Sequence, residues 1–251
     1  MTFMGIYDVG IFDCPPFRMF TAGDCPRAEN ILSDGSFEPE SMRLWCRLAR
    51  DATSILDIGA HVGVYSLAAA ALRKDIPIHA FEPNPYAYAR LRVHKRLNGF
   101  ENIVEHTVAL SNNTIISPFS WCVKPTQQIS SGGSLGGGTD GMDTVPVWTR
   151  TLDSFEFDYG ARPLVKIDVE GHEKRVLRCS SNMLAAKPDI ILEGFDQAKC
   201  DAIMDMLPLG AKFYKIVERG WMDRTDRLIA ASQSAPYDFN QFVTWRMELP
   251  T

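Results

Sequence analysis

Two glycines four positions apart, with an acid just ahead of them, are the residues in this sequence best placed to do chemistry. The stretch Ile55-Leu56-Asp57-Ile58-Gly59-Ala60-His61-Val62-Gly63 runs an apolar segment into a glycine turn, and a second apolar segment ends in Phe81-Glu82-Pro83-Asn84. In an open parallel sheet such strand ends meet at the carboxyl edge, where nucleoside-containing ligands are gripped. A nicotinamide site wants G-x-G-x-x-G, which brings the backbone against a pyrophosphate at a helix N-terminus. Here the pattern is D-x-G-x-x-x-G. A carboxylate at Asp57 repels pyrophosphate and suits an ammonium group, which S-adenosyl-L-methionine carries without any phosphate. Glu82 then stands where an acid accepts the ribose hydroxyls.

A second constellation, Lys166-Ile167-Asp168-Val169-Glu170-Gly171-His172-Glu173, again joins a strand end to a helix start. Asp168 is expected near a reacting sulfonium or the methyl acceptor. Glu170 is placed to complement the helix N-terminus or to touch substrate, and Glu193 adds a carboxylate to the same edge. Loss of a proton from an acceptor hydroxyl calls for a base. His172 titrates near working pH, although a residue at a helix start also serves simply to pack or cap; Asp168 is the other candidate. Asp168, Glu170 and Glu193 could offer hard oxygen ligands to magnesium, but their spacing does not demand a metal. His79, His94 and His106 read as ordinary strand or surface residues.

The elements that must position these groups alternate. A helix starts at Pro39, with Glu38 as its cap and Met42, Trp45, Leu48 and Ala49 on one face. The Asp57 strand, an alanine-rich helix over 64–73 and a strand over 76–81 follow. Asn84 caps a helix led by Pro85 and stopped at Asn98-Gly99, and 103–110 alternates as a third strand. Short loops between these elements imply parallel pairing with right-handed crossovers. The order breaks at 111–150, a β/Gly-rich insertion with weak β character at 115–123 and 145–149. The glycine-dense loop 130–141 between them is a solvated hairpin tip or a lid. Strand 164–169, helix 172–184, strand 189–193 and helix 197–207 resume the alternation, and strands at 213–217, 227–231 and 242–247 close it. The expectation is a single α/β domain over 1–251: a doubly wound sheet, mostly parallel, with an antiparallel C-terminal hairpin. An irregular arm over 1–35 precedes it, in which Phe12, Phe17, Arg18, Phe20 and Arg27 pack or contact substrate.

With 251 residues and 45% hydrophobic content the chain can bury a sizeable core. A net charge of −5 with scattered Lys and Arg disfavours nucleic acid as a partner. No apolar run suffices to span a bilayer, since 55–72 contains Asp57 and His61. The N-terminus lacks the basic start of a secretory signal. Six dispersed cysteines without a C-x-x-C pair favour reduced, structural thiols over a disulfide framework or a zinc site. A cytoplasmic protein is the expectation.

The segments Ser33-Asp34-Gly35-Ser36-Phe37-Glu38-Pro39-Glu40, Asp57-Ile58-Gly59-Ala60-His61-Val62-Gly63, Phe81-Glu82-Pro83-Asn84-Pro85 and Lys166-Ile167-Asp168-Val169-Glu170-Gly171-His172-Glu173 resemble the motifs of the FkbM family. Val147-Trp148-Thr149-Arg150-Thr151-Leu152-Asp153-Ser154 resembles the family's approach to the Asp168 strand, and the resemblance covers roughly 33–195. It implies a class I methyltransferase Rossmann-like fold and S-adenosylmethionine-dependent methylation, usually O-methylation of natural products or sugars. The acceptor would be a small molecule or sugar. By the same resemblance Asp57, Gly59, Ala60 and Gly63 form the cofactor turn, with His61 where the family often has Asn. Glu82, Pro83 and Asn84 hold the ribose, Glu38 reaches the methionine end, and Ala109, Leu110 and Ser111 line the adenine. A nicotinamide-dependent oxidoreductase and a non-catalytic binding module are the competing readings.

Overall fold

A computed structural model of the chain describes residues 4–11, 13–25, 37–123, 129, 132–137, 142–194, 196–218, 220–231 and 239–249. An irregular arm is expected at the start. Instead strands β1 (Gly5–Val9) and β2 (Phe17–Thr21) pair antiparallel, Gly5 opposite Thr21. Gly10, Pro15, Pro16 and Gly23 punctuate this hairpin so densely that its composition reads as loop. Phe17 is buried in the core, the Phe20 ring lies 5.0 Å from the Arg90 guanidinium, and the Arg18 amide donates to Asn98 Oδ1 at 2.7 Å. These three residues pack; Phe12 and Arg27 lie outside the described residues.

Helix α1 (Pro39–Ala49) buries Met42, Leu44, Trp45 and Leu48. Glu38 precedes it in a left-handed conformation but makes no side-chain cap. Glu218 does that work from a distant turn, accepting from the amides of Glu40 at 2.9 Å and Ser41 at 3.4 Å. Then come β3 (Ser54–Ile58), α2 (Val64–Leu72), β4 (Ile78–Phe81), α3 (Pro85–Asn98) and β5 (Ile103–His106). The single strand expected over 103–110 is broken. Its second part, β6 (Ala109–Leu110), leaves for a small sheet with β7 (Ile116–Cys122), β8 (Gly133–Leu135) and β9 (Met142–Arg150). Thus part of the glycine-dense loop is an edge strand.

The chain returns through β10 (Pro163–Ile167), the short helices α4 (Glu173–Arg178) and α5 (Ser181–Ala185), β11 (Asp189–Glu193) and α6 (Gln197–Met204). The helix expected over 172–184 is therefore two, parted at Cys179 and Ser180. It ends with β12 (Lys212–Ile216), β13 (Met222–Thr225) and β14 (Asn240–Thr244). No strand forms over 227–231. Leu228 is buried there as a loop residue, and its apolar run imitates a strand, whereas the partner of β12 on its outer side is the more polar 222–225 edge.

The eight-stranded central sheet has the order β13-β12-β14-β11-β10-β3-β4-β5. From β5 to β11 neighbours are parallel, and β14 is antiparallel to both β11 and β12. This is the doubly wound, mostly parallel sheet expected, with its antiparallel strands at the C-terminal side. The chain winds outward from β3 through β4 to β5, then back on the other side through β10 to β11. The switch between β3 and β10 opens a crevice at their carboxyl ends, where such sheets bind ligands. Two apolar clusters cover the faces of this sheet and a third fills the small sheet. No disulfide joins any of the six cysteines. Among the described residues no helix is long and apolar enough to cross a membrane.

Asn84 fixes the entry into α3, its Oδ1 accepting from the Tyr86 amide at 3.0 Å and the Ala87 amide at 3.4 Å. Asn84→Ala is expected to cost about 1 kcal/mol of folding stability, read from urea denaturation. An unchanged midpoint would show that the cap contributes nothing.

Candidate active site

The glycine turn is held from two sides. The amides of Gly59 and Ala60 both donate to the Phe81 carbonyl, at 3.0 and 2.9 Å. Gly59 has φ +84°, and a Cβ on it would stand 1.8 Å from the Asp168 carbonyl oxygen. Only glycine fits there. Gly63, at φ +91°, turns the chain into α2, where a Cβ would meet Leu91 Cγ at 2.9 Å. Asp57 is fully buried, and its Oδ2 accepts from the Ser66 amide at 3.0 Å and the Ser66 hydroxyl at 2.6 Å. This oxygen, expected to face a ligand, is therefore spent on the start of α2. Burial pushes the Asp57 pKa up to about 6, opposed by those bonds and by Lys166.

Glu82 ties the turn to the second strand end. Its Oε2 accepts from the His61 amide and its Oε1 from the Asn84 amide, each at 2.7 Å. Burial raises its pKa to about 7 against those two bonds. Among the described residues five non-glycines have positive φ, and Glu38 (44°), His61 (52°) and Glu170 (53°) are three of them. Backbone strain of this kind gathers where a site must be pre-shaped.

A cleft of about 690 Å³ opens over the switch point. Glu82, Pro83 and Asn84 after β4 and Asp168, Glu170 and His172 after β10 line it on either side of the β3 turn, together with Ala109 and Leu110. Gly59 and His61 lie between and also border a second cavity of about 260 Å³, with Phe37, Ala60, Tyr65 and Lys166. Gly63 and Ser111 line neither; Ser111 Oγ instead lies 2.9 Å from His172 Nε2. Burial, with the nearby Arg175 charge, lowers the His172 pKa to about 4 and keeps the ring neutral at pH 7.

Behind the cleft sits a buried acidic group. Lys166 Nζ is 3.3 Å from Asp168 Oδ2, and the Asp168 carboxylate shares a hydrogen bond with Glu193. Burial, then the Asp168 charge, holds the Glu193 carboxyl well above the usual carboxylate range, with Lys166 opposing. Glu38 Oε2 accepts from the Tyr65 hydroxyl at 2.6 Å and Asn240 Nδ2 at 3.0 Å. Glu38 Oε1 and Glu193 Oε2 are buried with no hydrogen-bond partner among the described residues. Such acceptors are costly unless a donor reaches them. No group of three or more His, Cys, Asp or Glu among the described residues has metal-holding geometry.

Sequence reasoning missed Tyr65, Asn240, Phe119, Gly133 and Leu135, the last three of which line the large cleft. Tyr65 lies on the helix after the turn. Asn240 comes from the last strand, where no pattern marks it.

Residues 57–215 match the family model described as the Methyltransferase FkbM domain. The chain belongs to the FkbM methyltransferase family. Hexuronic acid methyltransferase AglP of Haloferax volcanii is 25% identical over 188 residues, which cover 71% of this chain and 72% of that protein. Methyltransferase FkbM from Methylobacillus flagellatus superposes with a TM-score of 0.49 at 16% identity over 77% of this chain; the chain spans 44% of that one. A methyltransferase described as SAM-dependent from Agrobacterium tumefaciens gives a TM-score of 0.49 at 10% identity, with 99% of this chain and 72% of that chain covered. Membership of a methyltransferase family sets the oxidoreductase reading aside. Glu38 and Asn240 lie outside the matched residues, on either side of them.

Raised acid pKa values make the folded chain bind more protons than the unfolded one across the interval between the two values. For Glu82, from 4.5 to about 7, stability is present at low pH and is lost as pH rises toward 7. Unliganded Glu82→Gln should show a shallower decline than the parent between pH 5 and 7.5, by on the order of 2 kcal/mol. Urea midpoints across that range check it, and parallel profiles would overturn the assignment.

Proposed function

We propose that the protein transfers the methyl group of S-adenosyl-L-methionine to a hydroxyl of a sugar or sugar acid. The observation that carries this reading is one cleft at the switch point, with Glu82 on one side, Asp168 on the other and the Gly59 turn between them. Behind it the buried oxygens Glu38 Oε1 and Glu193 Oε2 have no hydrogen-bond partner among the described residues, and the nearby acids outnumber Lys166. A ligand bearing an ammonium and a sulfonium suits such a place.

S-adenosyl-L-methionine supplies an electrophilic methyl on a positively charged sulfur. Glu82, fixed by the His61 and Asn84 amides, would hold the ribose hydroxyls, with Pro83 and Asn84 beside it. Ala109 and Leu110 offer an apolar surface for the base, and Ser111 steadies His172. The turn from Gly59 through His61, with Glu38 behind it, would take the amino-acid end. Asp57 and Gly63 act one step back by holding the start of α2. Holding the donor and an acceptor in line supplies much of the rate.

Asp168 is the better base of the two predicted. Its carboxylate sits at the cleft with Lys166 and Glu193 fixing it, whereas His172 is weakly basic and engaged with Ser111. Glu170, on the same side, is placed to meet the acceptor. Likeness to a hexuronic acid methyltransferase favours a sugar acid as acceptor, and a hydroxyl rather than an amine is the nucleophile proposed.

Incubation with radiolabelled S-adenosyl-L-methionine and a panel of uronic acids, neutral sugars, alcohols and amines tests the reading. Label should appear in an alkali-stable ether of a sugar or uronic acid. Asp168→Asn should lower kcat at least a hundredfold, while His172→Ala stays within about tenfold. Label found only in amines, or the reverse order of the two variants, would overturn the respective assignment.

A further inference from the structure

The large cleft has a wall that neither the glycine turn nor the acidic strand ends provide. Phe119 on β7 and Gly133 and Leu135 on β8 form it. The pairing sets Phe119 opposite Leu135 and Trp121 opposite Gly133, so Phe119 and Gly133 are diagonal neighbours on one face of the small sheet. With no side chain at Gly133, the Phe119 ring falls across it. A Cβ there would stand 2.3 Å from Phe119 Cζ and 3.0 and 3.2 Å from its Cε atoms.

The ring is held in a packed aromatic group. Trp121 stacks on it at 6.0 Å, with 30° between planes, and Trp121 is itself fully buried. The Tyr86 ring lies 5.8 Å from Trp121, and the Tyr86 amide is one of the two that Asn84 caps. Phe119 also shares an apolar cluster with Ala109. The aromatic group is therefore anchored to the Glu82–Asn84 side of the cleft.

We infer that Phe119, laid across Gly133, is the apolar wall against which the purine base of the methyl donor rests. The inference builds on the proposed use of S-adenosyl-L-methionine and extends its site into the small sheet. A flat ring held at the nucleoside end offers a base what aromatic platforms offer bases generally, a stacking or edge contact that needs no hydrogen-bond code.

Calorimetric titration of the full chain with S-adenosyl-L-homocysteine and with 5′-methylthioadenosine, which lacks the amino-acid end, tests it. Phe119→Leu keeps apolar bulk, and Gly133→Ala crowds the ring. Each should weaken both ligands by a similar factor, about five- to a hundredfold, while the unliganded protein still melts cooperatively. Glu38→Gln should weaken S-adenosyl-L-homocysteine alone. If Phe119→Leu binds both ligands like the parent, or leaves them unchanged and raises only the KM of the acceptor, the wall does not serve the base. If the parent itself binds neither ligand, the methyl-donor reading falls and this inference with it.

Discussion

The site depends on the contact between two backbone segments, Gly59 and Asp168. The Asp168 amide donates to the Ile58 carbonyl at 2.9 Å, extending the β3–β10 ladder one residue past the strand ends. The Asp168 carbonyl then fills the space where any side chain on residue 59 would sit. This approach brings the turn and the acidic strand end to a fixed separation. Glu82 fastens the same turn to β4 through the His61 amide. Three parallel strands thus deliver their chemistry to one edge through backbone contacts, Asp168 to Ile58 and Gly59 and Ala60 to Phe81, with the Glu82 carboxylate as a side-chain tie.

Burial does the second part of the work. Asp57, Glu82 and Glu193 all have raised pKa values with desolvation as the first cause. Each is stabilised when ionised only so far as donors reach it: Ser66 for Asp57, two amides for Glu82, and little beyond Lys166 for Glu193. An apo site of this kind holds more negative potential than its own residues neutralise, which favours a cationic ligand over an anionic one. It also separates two roles that look alike in sequence. Asp57 spends its Oδ2 on the start of α2, whereas Glu38, held by Tyr65 and Asn240 on one oxygen, keeps the other unmatched.

Much of this was legible in the residues. Alternation of apolar strands with capped helices gave away the parallel half of the sheet, because Asn84, Pro85 and Gly99 act locally and keep their meaning in any context. The strand-end acids were legible because a carboxyl edge is where a doubly wound sheet must bind. What failed was non-local. The strand over 103–110 divides because its second part finds a partner in β9, some forty residues on. The hairpin of β1 and β2 was hidden by its prolines, and the strand expected over 227–231 by the difference between buried and paired. Glu218 capping α1, and Asn240 meeting Glu38, have no sequence signal, since each joins residues far apart in the chain.

That division has a consequence for how the site is assembled. The residues matched to the FkbM domain, 57–215, include the turn, Glu82, Asp168 and Glu193. Glu38 comes from before that segment and Asn240 from after it, yet they bond to each other and wall the same buried acids. The edge strand β8 comes from an insertion in it whose composition reads as loop. The strand-end groups carry a readable pattern because each sits where its own strand stops, whereas Glu38, Asn240 and the β8 edge reach their neighbours only through contacts between residues far apart in the chain, which is the physical reason the turn is easier to read from sequence than what surrounds it.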